Sequence, residues 1–229
     1  MKILNISDTH GFHFQLDSII KNDKPDMIIH AGDFSNWKNP VMNLQECLNF
    51  LAWFNSLDSS IIKVLIAGNH DTAIEAGLLK REEIEELGIH YLFHESKEIN
   101  GIEIFGSPYT PEFCGWAFNV ARHKLQPYWD AIPDTTDILV THGPPKGILD
   151  LSRDIEGTLE YCGDKSLLNA VLRIEPRYHI FGHIHDSTEN YNSGTRTLSG
   201  ISTTFINASC VTDRKFENGL TSFGTRIEF

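Results

Sequence analysis

The chain has 229 residues with 19 basic against 31 acidic side chains, a formal net charge of −12. That length buries a full core without disulfide staples. The charge excludes binding of long nucleic acids, which depends on counterion release from a Lys/Arg patch that this sequence lacks. A small phosphate ligand held on metal ions escapes the exclusion, because two divalent cations add about +4 locally and invert the field. No apolar stretch approaches the length of a bilayer span, and residues 1–7 turn polar too soon for the apolar region of a signal peptide. A soluble, cytoplasmic protein with no membrane partner is therefore expected.

In chain order, residues 2–7 form an apolar, β-branched run that predicts a strand covered on both faces, and the run breaks off into Asp8-Thr9-His10. Residues 26–31 give a second such run, ending in Gly32-Asp33. From Pro40 a helix is expected with Leu44, Cys47, Leu48, Leu51 and Phe54 on one face, which makes Cys47 a buried thiol. Residues 61–67 run into Gly68-Asn69-His70-Asp71. Thr72 and Glu75 have capping-box spacing for a helix that passes Arg81 and Glu86 and stops at Gly88.

Short strands are expected at 91–94, 98–100 and 103–106, with a turn at Asn100-Gly101. Residues 137–141 end in His142-Gly143. Asp164 is placed to cap a helix carrying Leu167, Leu168, Val171 and Leu172, ended by Pro176. Residues 178–182 run into His183-Ile184-His185, and 203–209 and 221–229 read as strand. The sum is one α/β domain over residues 1–229, a two-sheet β-sandwich flanked by helices. In such sheets ligands bind at the carboxyl ends of strands, where all five polar motifs fall.

Each motif alone is ordinary, since DxH arises by chance and Gly-Asp is most often a turn. Five in this order are not, and they converge on a metal-binding set. Carboxylate, amide oxygen and neutral imidazole suit Mn, Fe, Co, Ni or Zn better than Mg alone. Asp8 and His10 can reach one ion from a turn, and the two oxygens of Asp33 can bridge two. Asn69 offers a neutral oxygen, and His70 beside it can face substrate. Asp71 carries two compatible readings, helix N-cap and the carboxylate that orients His70. His142 lies after an apolar run, and His183 and His185 point the same way across Ile184.

Other residues are weighed against blander roles. His30 and His179 sit inside apolar strands and read as core imidazoles, and His13 is a weaker candidate for the cleft. His90, His94 and His123 show no donor at useful spacing. Tyr109, Phe113, Trp116 and Phe118 crowd one segment, either as core or as a base-stacking wall. Lys146 and Arg153 follow the His142 loop and read as solvated surface.

The order DxH, GD, GNHD, H, GHxH resembles the calcineurin-like metallophosphoesterase superfamily from residue 2 to about residue 209. Gly106-Ser107-Pro108-Tyr109 through Gly115-Trp116-Ala117-Phe118-Asn119, Ile138 to Pro145, Phe181 to His185 and Phe205 to Ser209 resemble its MPPED (metallophosphoesterase-domain-containing) branch. The resemblance implies a four-layer α/β/β/α fold and two divalent ions, with Mn2+ favoured. One ion would take Asp8, His10, Asp33 and His185. The other would take Asp33, Asn69, His142 and His183, with Asp33 shared and His70 acting on the substrate; with Asp71 steadying it, His70 and Asp71 form the expected catalytic pair. Some mammalian members of the branch replace a histidine of the last motif by glycine; this chain keeps both.

The implied activity is hydrolysis of small phosphodiesters such as cyclic nucleotides by a metal-bridging hydroxide, with Tyr109, Trp116 and Phe118 as substrate contacts. A phosphomonoesterase or protein phosphatase with the same metal core is an alternative, as is a non-catalytic scaffold of the same fold.

Overall fold

The computed structural model describes residues 1–153, 156–187, 190–212 and 219–229. Its strands in chain order are β1 (Lys2–Ile6), β2 (Met27–His30), β3 (Ile62–Leu65), β4 (Ile89–Tyr91), β5 (Glu95–Ile99), β6 (Ile102–Ser107), β7 (Thr110–Pro111) and β8 (Asn119–Val120). They continue with β9 (Ile138–Thr141), β10 (Leu151–Arg153), β11 (Leu159–Tyr161), β12 (Tyr178–Phe181), β13 (Gly194–Thr197), β14 (Thr204–Asn207) and β15 (Thr225–Glu228). The helices are α1 (Asp17–Asp23), α2 (Pro40–Ser56), α3 (Thr72–Glu75), α4 (Arg81–Glu85), α5 (Gln126–Asp130) and α6 (Lys165–Ile174).

Two large sheets carry the architecture. One has the order β15-β1-β2-β3-β4, parallel except for β15; the other has the order β13-β14-β12-β9-β6-β5, parallel except for its two edge strands. Alternation along the strands sorts their side chains into three apolar layers. Ile3, Met27, Ile29 and Val64 face Ile104, Ile138, Val140, Ile180 and Ile206 between the sheets. Leu4, Ile6, Ile28 and Leu65 face outward onto Phe50 and Phe54 of α2. Phe105, Leu139, Phe181 and Phe205 face outward onto Trp129 of α5 and Leu167 and Val171 of α6. The result is the expected α/β sandwich in four layers, with strands apolar on both faces because both faces are covered.

Several local expectations are corrected. In α2 the buried positions are Asn43, Cys47, Phe50, Leu51, Trp53 and Phe54, while Leu48 is exposed. The helix expected from Thr72 to Glu86 is two short helices, with Gly77 at φ +69° between them. Neither capping-box residue caps: the Thr72 hydroxyl donates to the Trp37 carbonyl, and the Glu75 carboxylate accepts from the Phe118 amide. Asp164 does cap α6, accepting from the Leu167 amide at 2.8 Å, and Glu175 ends that helix in the left-handed region. The Asn100-Gly101 turn joins β5 to β6 with φ +53° and +78°, as a tight hairpin requires.

Candidate metal centre

The carboxyl ends of β1, β2, β3, β9 and β12 meet where the two sheets touch. A bridge between Ser7 and Ser209, with the Cys210 amide donating to the Ser7 carbonyl at 2.9 Å, joins the ends of β1 and β14. The turns leaving these strands are unusually tight. Asp8, His10, Asp33 and His183 all sit at positive φ (+52°, +42°, +58° and +68°), a region that costs a non-glycine residue about 1–3 kcal/mol. Glycines give the donors room. A Cβ on Gly68 would strike the Asp33 carboxylate and come within 2.6 Å of the His142 ring, and one on Gly182 would collide with the Asp8 carboxylate.

Two triads of donors result, Asp8/His10/His185 and Asp33/His142/His183, each with its ligand atoms within 4.8 Å of one another. His185 Nε2 is 3.0 Å from Asp8 Oδ1, and His10 Nε2 is 4.0 Å from both Asp8 Oδ1 and Asp33 Oδ2. In the second triad His142 Nε2 lies 3.3 Å from Asp33 Oδ2 and 2.9 Å from Asn69 Oδ1. Asp33 Oδ2 therefore stands next to both groups. Two ligands each about 2.1 Å from a shared ion are themselves about 3–4 Å apart over the usual ligand angles. The donor set fits two divalent cations sharing Asp33. The imidazoles are aimed from behind: His10 Nδ1 meets the Ser35 carbonyl at 3.0 Å and His142 Nδ1 the Ala31 carbonyl at 2.9 Å, which turns each Nε2 inward.

The electrostatics point the same way. Burial opposes the charge on Asp8 and Asp33, yet both stay ionised well below the ordinary carboxylate range, Asp8 through His185 and His142, Asp33 through His142 and His70. Burial also opposes charge on His142, but Asp33 overrides it and raises its pKa to about 9. Burial holds His10 at about 4 and His183 at about 3, neutral and ready to ligate. The pocket is built to receive positive charge.

His70 is half-buried at the edge of this set. Its amide donates to Asp33 Oδ1 at 2.7 Å, its Nδ1 lies 3.2 Å from the Asn36 carbonyl, and its ring meets His10 edge-on at 4.9 Å. Asp71 is not its orienting partner. The buried Asp71 carboxylate accepts from the amides of Asp33, Gly68 and Ser35 and from the Ser35 hydroxyl, pinning the loop after β2 to the loop after β3. Burial, then the neighbouring Asp33, push the Asp71 carboxyl up to about 8. Although it occupies the N-cap position of α3, its side chain makes no capping bond.

The aromatic candidates separate. Trp116 reaches the site and stacks on His70 with ring centroids 4.0 Å apart and planes 27° apart. Phe118, expected as a substrate contact, is buried in the core, edge-on to Phe93 at 6.0 Å. Tyr109, expected likewise, packs edge-on against Tyr128 at 4.6 Å. Phe113 is exposed. His13 is buried against Phe14, Phe50 and Trp53 and does not line the site. His94, expected to lack a partner, meets the Ser107 hydroxyl at 3.1 Å.

His30 and His179 are core imidazoles as expected, but each also braces a motif. His30 accepts from the Gly32 amide through Nδ1 and donates through Nε2 to the Thr9 hydroxyl at 3.0 Å. His179 donates to the Thr141 hydroxyl, which itself donates to the Gly143 carbonyl. Three supporting residues escaped the sequence reading. Asn36 holds His70 and, through its side chain, the His10 carbonyl; Ser35 serves His10 and Asp71; and Asn43 donates to the His70 carbonyl and accepts from the Ala73 amide. Only Asn43 carried a signal, as a polar residue four positions before Cys47 on the buried stripe of α2.

Comparisons with known proteins agree with this geometry. The model of the calcineurin-like phosphoesterase family matches residues 1–187. Metallophosphoesterase domain-containing protein 1 of Homo sapiens is 35% identical over 231 residues, covering 90% of this chain, and the chain spans 65% of that relative's length. A UPF0046 protein of Caenorhabditis elegans is 34% identical, covering 91% of this chain and 75% of its own. The crystal structure of TT1561 of Thermus thermophilus superposes with a TM-score of 0.60 at 13% identity, covering 90% of this chain and 88% of that one, a likeness of fold.

Proposed function

The chain belongs to the calcineurin-like phosphoesterase family, and from that premise we propose that it hydrolyses small phosphodiesters, cyclic nucleotides foremost, in a two-metal site loaded with Mn2+. The observation that carries this reading is the convergence of two donor triads on one carboxylate, Asp33, with the His70 ring alongside. Two divalent ions bound there would supply Lewis-acid stabilisation of the phosphoryl charge and lower the pKa of water to about 7.

The chain's own residues do the rest. Asp8, His10 and His185 would hold one ion and Asn69, His142 and His183 the other, with Asp33 placed to serve both. In its protonated form His70, which donates from Nδ1 to the Asn36 carbonyl, would pass the Nε2 proton to the departing oxygen and be left as neutral imidazole, a role worth about 10²–10⁴-fold. The chain's net charge is −12, which two divalent cations would offset locally for a small phosphate ester. The same charge favours a nucleotide-sized partner over a long nucleic acid. Four free thiols, Cys47, Cys114, Cys162 and Cys210, suit a reducing compartment such as the cytoplasm.

Parallel turnover of bis-p-nitrophenyl phosphate and p-nitrophenyl phosphate by the Mn-reconstituted chain tests this, followed by a panel of nucleoside 2′,3′- and 3′,5′-cyclic phosphates. Faster diester turnover is expected. Preference for the monoester would replace the diesterase with a phosphomonoesterase, and inert protein would leave only a scaffold.

A further inference from the structure

We infer that Trp116 is a positioning residue for His70, fixing the angle at which the imidazole meets substrate; this rests on the phosphoesterase reading above. The indole lies nearly parallel to the imidazole at 4.0 Å, closer than any other ring around His70 among the described residues. On its edge the same imidazole meets the Asn36 carbonyl through Nδ1 at 3.2 Å. An edge-on hydrogen bond sets where the ring lies within its own plane, and a flat partner on its face sets the tilt of that plane.

The indole is itself held from several sides. The Ala117 amide donates to the Asn69 carbonyl, one residue before His70, and the Phe118 amide donates to the Glu75 carboxylate just after it. Lys38, in the loop between β2 and α2, donates through Nζ to the Cys114 carbonyl at 2.7 Å and lies 5.0 Å from the centre of the Trp116 ring. Phe118 anchors the far end in the core. Residues 114–118 thus form a strap that follows β6, leaves the second sheet and lies across the metal-ligating loop of the first. The strap couples the His70 side chain to the body of the fold.

A misaligned proton donor slows the chemical step and leaves substrate binding intact. In Trp116→Ala, kcat for a phosphodiester is expected to fall about 10–100-fold while KM and metal content stay near wild type. Trp116→Phe, which keeps a flat face, is expected to restore most of the loss. The double variant His70→Ala/Trp116→Ala is expected to be no slower than His70→Ala alone, because the indole acts only through the ring. Histidine-ring NMR on the metal-free chain provides a readout independent of turnover. The His70 signals, assigned by their loss in His70→Ala, should move downfield in Trp116→Ala as the indole ring current is removed.

Unmoved His70 signals, additive losses in the double variant, or a raised KM at unchanged kcat would each overturn the inference, the last making Trp116 a substrate wall. If the wild-type chain hydrolyses no phosphate ester, the phosphoesterase reading fails, while the NMR comparison still decides whether Trp116 holds His70.

Discussion

Acidification should destabilise this chain through its buried neutral histidines, of which His30 and His179 lie outside the donor groups. His30 and His179 are fully buried, and burial holds both at about 3, against 6.5 for an exposed imidazole. His30 is neutral in the fold by geometry as well: its Nδ1 accepts from the Gly32 amide at 3.2 Å, so a proton there would face an N–H. Below pH 6.5 the unfolded chain takes up protons that the folded chain refuses. Stability is therefore complete above 6.5 and falls as pH drops through that value, down to about 3. Each unit is worth about 1.4 kcal/mol per histidine. Lowering the pH from 6.5 to 5 thus costs about 2 kcal/mol for each, roughly 4 together, against a total stability of about 5–15 for a typical domain.

Urea unfolding of the metal-free chain at pH 7, 6 and 5, beside His30→Gln, isolates one of them. The variant removes a titrating group while keeping an acceptor and a donor, and its stability should fall by about 2 kcal/mol less than wild type over the acid range. Equal pH slopes would refute the argument. Because His30 ties the Thr9 turn to the Gly32 turn, divalent-ion affinity should weaken in the same variant.

Other expectations concern the site directly. Asp33→Ala should bind fewer than two ions per chain by elemental analysis, and normal stoichiometry would contradict its bridging place. His70→Ala should keep both ions and lose about 10²–10⁴-fold in kcat; unchanged turnover would remove its role. Gly182→Ala puts a methyl group into the Asp8 carboxylate, so thermal stability and occupancy of the Asp8 triad should both drop, and a wild-type melting profile would show that the turn relaxes instead.

The strands and their polar ends were legible because burial on both faces writes itself as continuous apolar runs, as in β1, β2, β3, β9 and β12. The convergence of the candidate donors was legible because residues at strand ends lie together in an α/β sheet whatever their distance in sequence. Long-range contacts were not legible. Thr72 and Glu75 have capping spacing, yet they bond to Trp37 and Phe118, partners brought near only by the sandwich. Asp71 adjoins His70 in sequence, but three backbone amides from loops after separate strands claim its carboxylate first. Trp116 and Phe118 are two residues apart with the same chemistry, and only the path of the strap sends one to His70 and the other into the core. The α2 stripe misplaced Leu48 because the buried face turns toward Phe50 and Asn43, and the latter's polarity hid its place.

Anomalous diffraction from crystals grown with Mn2+ tests the central claim most directly. Two peaks about 3.5–4 Å apart are predicted, flanking the Asp33 carboxylate, one inside Asp8, His10 and His185 and the other inside Asn69, His142 and His183. A single peak, or peaks away from Asp33, would contradict the account.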